Sequence, residues 1–126
     1  MINLDTHVFL WLITGNSRLP SRFRDEIVDP NKVICLSVAS IWECVIKAQS
    51  GRLRLPSPVA EYLESQADAH LVHSLQIDGR DIQALEQLPA IHRDPFDRVI
   101  VAQAIHRGMK LATVDKQIAE YDVDLL

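Results

Sequence analysis

With 126 residues, 48% of them hydrophobic and 24% charged, the chain is long enough for one compact domain over residues 1–126 that buries about two-thirds of its unfolded surface. Seventeen Asp and Glu against thirteen Lys and Arg leave a formal net charge of −4, which argues against nucleic-acid binding through a broad basic surface; two bound divalent cations would bring that total to zero. No run approaches the roughly 20 apolar residues that span a bilayer, and a start with Asp5 and no Lys or Arg before Val8–Ile13 lacks the charged opening of a secretory signal, so the cytosol is the expected location.

In chain order, Met1–Leu4 reads as a short strand and Thr6–Ile13 as an apolar helix buried on most sides, with Asp5 at their junction. Gly15–Leu19 is a predicted turn. Pro20–Val28 has the pattern of an amphipathic helix, with Pro at its start and Asp29-Pro30 beyond its end. Val33–Leu36 is a β-branched run suited to a buried strand, and Ser37 is placed to cap a helix that carries Ile41, Trp42, Val45 and Ile46 and stops at Gly51. After the Arg52–Pro58 link a helix is predicted to about Ala67, then a strand over Leu71–Ile77 and a helix capped by Asp78 that ends near Leu88. Pro89–Arg93 forms a loop. Asp94-Pro95-Phe96-Asp97 opens a helix that ends at Gly108, and Lys110–Val114 is a strand delivering Asp115. A short helix and a last strand near Val123–Leu126 complete the alternation. This order predicts a three-layer α/β/α sandwich with a mainly parallel central sheet.

Four acids stand just after these strands or in the helices they lead into: Asp5, Glu43, Asp97 and Asp115. In an open parallel sheet such positions converge on one edge, where like charges repel unless a divalent cation shares the site. Three of them have a plainer reading as well. Asp5 is also placed to cap the first helix, and Glu43 to pair with Lys47 four residues on, where Lys47 either orients it or reaches a substrate phosphate. Asp94, Pro95 and Asp97 together resemble a capping box, which assigns Asp94 mainly to capping and Asp97 mainly to the site. Arg93 and Arg98 flank this segment as candidate phosphate contacts or as solvated surface.

Other chemistries lack support. His7, His92 and His106 share neither a helix face nor a zinc spacing, Cys35 and Cys44 read as buried free thiols, and no GxxxxGK[ST], GxGxxG or GxSxG is present. A non-catalytic acidic pocket that receives a basic partner segment is the rival to metal-assisted chemistry.

Taken together, Leu4-Asp5-Thr6-His7, Ser40-Ile41-Trp42-Glu43 with Lys47 and Gly51 downstream, His92-Arg93-Asp94-Pro95-Phe96-Asp97-Arg98 before Ala102-Gln103-Ala104, and Thr113-Val114-Asp115 form an ordered set spanning nearly the whole chain. This set resembles the PIN-domain family, in particular VapC-type toxins of bacterial toxin-antitoxin pairs. The resemblance implies a Mg²⁺- or Mn²⁺-dependent endoribonuclease, with Asp5, Asp97 and Asp115 contacting metal, Glu43 acting through water, and Thr6 and Thr113 supporting them. It also implies an RNA substrate, a VapB-like antitoxin and a homodimer, or, in a housekeeping variant, a nuclease without an antitoxin.

Overall fold

Four short parallel strands and three helix-pair connections organise the chain in a computed structural model that describes residues 1–126. The strands are β1 (Ile2–Leu4), β2 (Ile34–Ser37), β3 (His73–Leu75) and β4 (Lys110–Ala112); helices α1 (Thr6–Thr14) and α2 (Ser21–Val28) join β1 to β2, α3 (Val38–Gln49) and α4 (Val59–Ala69) join β2 to β3, and α5 (Gly79–Glu86) and α6 (Pro95–Arg107) join β3 to β4. The sheet order is β3-β2-β1-β4. Every neighbouring pair is parallel, as helical crossovers require.

Alternation along the strands creates two cores. Ile2, Leu4, Ile34, Leu36 and Ala112 join Val8, Phe9, Phe23 and Leu63 on one face, while Cys35 and Leu111 join Ile100, Val101 and Ala104 of α6 on the other. The register sets Ile2 beside Ile34 and Leu4 between Leu36 and Ala112, so side chains on one face stay in line. Both faces are therefore covered by helices, giving the expected three-layer α/β/α sandwich. Cys35 and Cys44 are buried free thiols, and burial, with the Glu43 charge beside it, pushes Cys44 up to about 12. No helix is long and apolar enough to cross a membrane.

Local chemistry starts and stops the helices much as the residues foretell. Ser37 accepts the Ala39 N–H, Asp78 and Asp81 form a reciprocal capping box, and Gly108 closes α6 in the left-handed region at φ 64°. Two expectations need correction. The last predicted strand, Val123–Leu126, is reduced to a single bridge between Leu125 and Leu111, because Tyr121 and Val123 are still turning. The predicted strand Leu71–Ile77 narrows to His73–Leu75, since Leu71 takes φ 57°, a conformation that does not propagate a strand.

A buried ion pair fixes α6 against α5. Asp81 is 1% exposed and receives Arg107 Nη2 at 2.7 Å, Arg107 Nε at 3.1 Å and Gln103 Nε2 at 3.3 Å. Burial opposes its ionisation, but Arg107, the Asp78 N–H and Gln103 hold the carboxyl below the usual carboxylate range. Asp81→Ala is expected to lower stability at pH 7 by about 3 kcal/mol, the low end of what breaking a buried pair costs, since Arg107 keeps access to water. Because the folded carboxyl titrates low, urea unfolding should show this deficit above roughly pH 4 and see it shrink as pH falls further.

Candidate active site

Ligands of open α/β sheets bind at the carboxyl ends of strands where the winding reverses. Here β1 leads to β2 on one side, while β4 is reached from β3 and lies on the other, so the reversal falls between β1 and β4. Asp5 leaves the end of β1 and Asp115 stands just past β4. A single hydroxyl ties the two together: Thr113 Oγ1 donates to Asp5 Oδ2 at 2.6 Å and accepts the Asp115 N–H at 3.0 Å. Asp5 also caps α1 through the His7 N–H at 3.3 Å, so its capping and site positions coincide. Burial raises its carboxyl above the usual range, against the opposing pull of the Thr113 and His7 contacts.

Glu43 is brought in by α3 and is 2% exposed. Its Oε1 lies 2.8 Å from Thr6 Oγ1, and Lys47, one turn on, donates to Oε2 at 2.5 Å. Ser40 Oγ lies 2.9 Å from the same Thr6 hydroxyl. Lys47 thus orients the acid. Burial disfavours its charge, but the bond to Glu43 outweighs this and raises the ammonium above its ordinary value.

At the start of α6 the capping motif divides its labour. Asp94 Oδ1 accepts the N–H groups of Phe96 at 2.8 Å and Asp97 at 3.3 Å, but the Asp97 side chain does not return the bond. His92 Nδ1 takes the Asp94 N–H instead, at 3.0 Å, which frees the Asp97 carboxylate to face the other acids. Burial, and then the charges of Asp5, Asp94 and Glu43, push Asp97 up to about 7, with His92 pulling the other way. Asp115 differs: although burial opposes its ionisation, His92 and the N–H groups of Gln117 and Ile118 hold it below the usual range.

The site residues expected from the sequence are therefore gathered at one end of the sheet, with two exceptions. Arg93 and Arg98 make no ion pair or hydrogen bond with the acids and line a cavity of about 520 Å³ with Trp42 and Phe96. Conversely, His92 shares no zinc spacing with the other histidines, yet its Nε2 lies 3.1 Å from Asp115 Oδ2 and 3.2 Å from Asp97 Oδ2. Ser40 and Tyr121, whose hydroxyl accepts the His92 N–H at 2.8 Å, were missed as well. In the sequence His92 is marked by its place in the motif from His92 to Arg98, two residues before a helix-capping Asp.

Four oxygen-donor side chains with charge in excess of the one lysine beside them match the ligand chemistry of a hard divalent cation. Were a cation to bind these carboxylates, the Asp97 proton would have to leave, and affinity would then rise as pH increases through about 7. In the metal-free protein the sign is opposite for stability: a carboxyl raised from roughly 4 to about 7 contributes fully below pH 4 and loses that contribution as pH rises through 7. Asp97→Asn should accordingly raise metal-free stability at pH 8 by roughly 2–4 kcal/mol, measured by chemical denaturation in chelator, while weakening metal binding by calorimetry.

Comparison with known proteins agrees with this geometry. Residues 2–124 match the family model of the PIN domain. Ribonuclease VapC22 of Mycobacterium tuberculosis is 28% identical over 119 residues, covering 94% of this chain and 89% of that protein. The fold matches the crystal structure of VapBC2 from Rickettsia felis, bound to a DNA fragment from their promoter, at a TM-score of 0.69 and 18% identity, across 100% of this chain and 97% of the other. It matches FitAcB from Neisseria gonorrhoeae equally, at 0.69 and 20% identity over 100% and 96%. With its acids set at the winding reversal and the family model matched from Ile2 to Asp124, the chain belongs to the PIN-domain family.

Proposed function

We propose that this chain is a VapC-type endoribonuclease, the toxin of a toxin-antitoxin pair, that hydrolyses RNA phosphodiester bonds in the cytosol with Mg²⁺ or Mn²⁺. The observation that carries this reading is the convergence of Asp5, Glu43, Asp97 and Asp115 at the reversal of the sheet, with Asp97 raised to about 7 by burial and by its acidic neighbours. A site that holds so much unneutralised charge is built for a cation. The 28% identity to a protein named as a ribonuclease supports the choice of RNA, and the likeness to VapBC2 supports a VapB-like antitoxin as partner. A second copy of the chain completes the assembly that this reading implies.

Asp5, Asp97 and Asp115 would hold the ion directly, with Glu43 behind them through water. A divalent ion held there would supply polarisation of the scissile phosphate and a more acidic water. The protein's own contribution is placement. Thr113 keeps Asp5 and Asp115 in fixed relation, Lys47 and Thr6 hold both oxygens of Glu43, and Asp94 anchors the first turn of α6 so that Asp97 does not drift. In-line attack of water on phosphorus then forms a new P–O bond and breaks the bond to the 3′ oxygen, leaving a 5′-phosphate and a 3′-hydroxyl.

Incubation of partner-free protein with total cellular RNA, in Mg²⁺, Mn²⁺ or chelator, tests the proposal. Discrete fragments with 5′-phosphate ends are expected with metal and none with chelator. Folded Asp5→Asn and Asp97→Asn proteins should cleave more than about a hundredfold slower, beyond the 10–100-fold typical of losing a supporting group. Fragments ending in 2′,3′-cyclic phosphate would overturn the chemistry. Absence of cleavage with tight binding of a basic peptide would favour an acidic binding pocket instead.

A further inference from the structure

His92 is the one group at the acids that a carboxylate centre does not require. It reaches them from the loop before α6, half-buried, and is anchored at both ends. Its backbone N–H donates to the buried Tyr121 hydroxyl at 2.8 Å, and its ring Nδ1 lies 3.0 Å from the Asp94 N. That contact decides where the ring carries its proton. The Asp94 N–H is a donor and needs a lone pair on Nδ1; a proton there would set two N–H groups against each other. The proton of the neutral ring therefore sits on Nε2, the atom 3.1 Å from Asp115 Oδ2 and 3.2 Å from Asp97 Oδ2.

A protonated Nε2 has no lone pair to offer a cation. His92, Asp97 and Asp115 present three ligand-type atoms within 4.8 Å of one another, yet only the two carboxylates are free to bind. We propose that His92 is a positioning residue, which shares one fixed N–H between Asp97 and Asp115, sets their separation and stays outside the coordination sphere of the divalent ion. The inference rests on the metal-dependent reading above. It assigns His92 the part that supporting hydrogen-bond donors play at metal-binding carboxylates. Asp115 gains a second fixed edge from it: Oδ1 is held by the Gln117 N–H at 2.8 Å and Oδ2 by the imidazole, so the carboxylate cannot rotate away from Asp97.

Titration of purified protein with Mn²⁺, followed by calorimetry and by pulsed EPR of the loaded site, tests the assignment without reference to cleavage. His92→Ala is expected to bind Mn²⁺ about tenfold more weakly, and His92→Gln, whose amide nitrogen can replace the donor, to bind within about threefold of the parent. The parent's EPR spectrum should show no nitrogen bound directly to Mn²⁺. A directly coordinated nitrogen would make His92 a ligand and overturn the proposal. Unchanged or tighter binding by the Ala variant would also overturn it. Should the Ala protein fail to fold by circular dichroism, the Gln variant and the parent spectrum decide: Gln binding weakened as much as tenfold refutes the donor role. A parent that binds no Mn²⁺ would sink the metal-dependent reading, and this inference with it, which is a different result from a parent that binds normally and a variant that does too.

Discussion

Mutual repulsion among carboxylates held in a poorly hydrated cleft is the constraint around which this molecule is arranged. In water, acids at such spacing would turn away from one another at little cost; within a folded chain each must be held. Every acid here has a dedicated restraint. Asp5 and Asp115 share the Thr113 hydroxyl, Glu43 is gripped by Lys47 and Thr6, and Asp97 sits in a helical turn started by Asp94 and Pro95. The elevated Asp97 carboxyl is the residual tension that these restraints sustain.

The restraints depend on the sheet and helices being immobile, and the strands alone are too short to ensure that. Three or four residues each leave few ladder bonds, so rigidity comes from the helices packed on both faces. The Asp81–Arg107 pair and Gln103 bind α5 to α6 at the far end from Asp97, fixing the helix that carries this acid. Asn3 sits fully buried in the middle strand and donates to the Ile100 carbonyl of α6 at 3.4 Å, a polar stitch between the sheet and the same helix. Stability and site geometry thus draw on the same contacts.

Asp97 and Asp115 show how one cleft separates two chemically identical groups. Both are partly buried, and both lie against His92. Asp115 has backbone N–H donors from the turn that follows it, which favour its charge, whereas the N–H groups at the start of α6 are taken by Asp94, leaving Asp97 to face other anions. The difference lies in which carboxylate received the local donors. It is enough to place one below the ordinary range and the other near neutrality.

Much of the site was legible without coordinates because its determinants are local. An acid directly after a short apolar run, an Asp before Pro with another acid three residues on, and a Glu four residues before Lys are properties of neighbouring residues, and the burial period assigned each to its element. The alternation of strands and helices also determined the layer architecture. Tertiary structure alone decided which loops meet. Thr113 and Asp5 are joined across 108 positions, and Tyr121 and His92 across 29; both links follow from β4 pairing with β1 rather than with β3. It likewise decided that Arg98 lines a cavity with Trp42 and Phe96 and makes no ion pair with the acids, that Glu43 is buried, and that the last strand stops at a single bridge. Periodicity records which side of an element is apolar, but not the order of strands in the sheet or the path of a loop, and those two facts place the imidazole of His92 between Asp97 and Asp115.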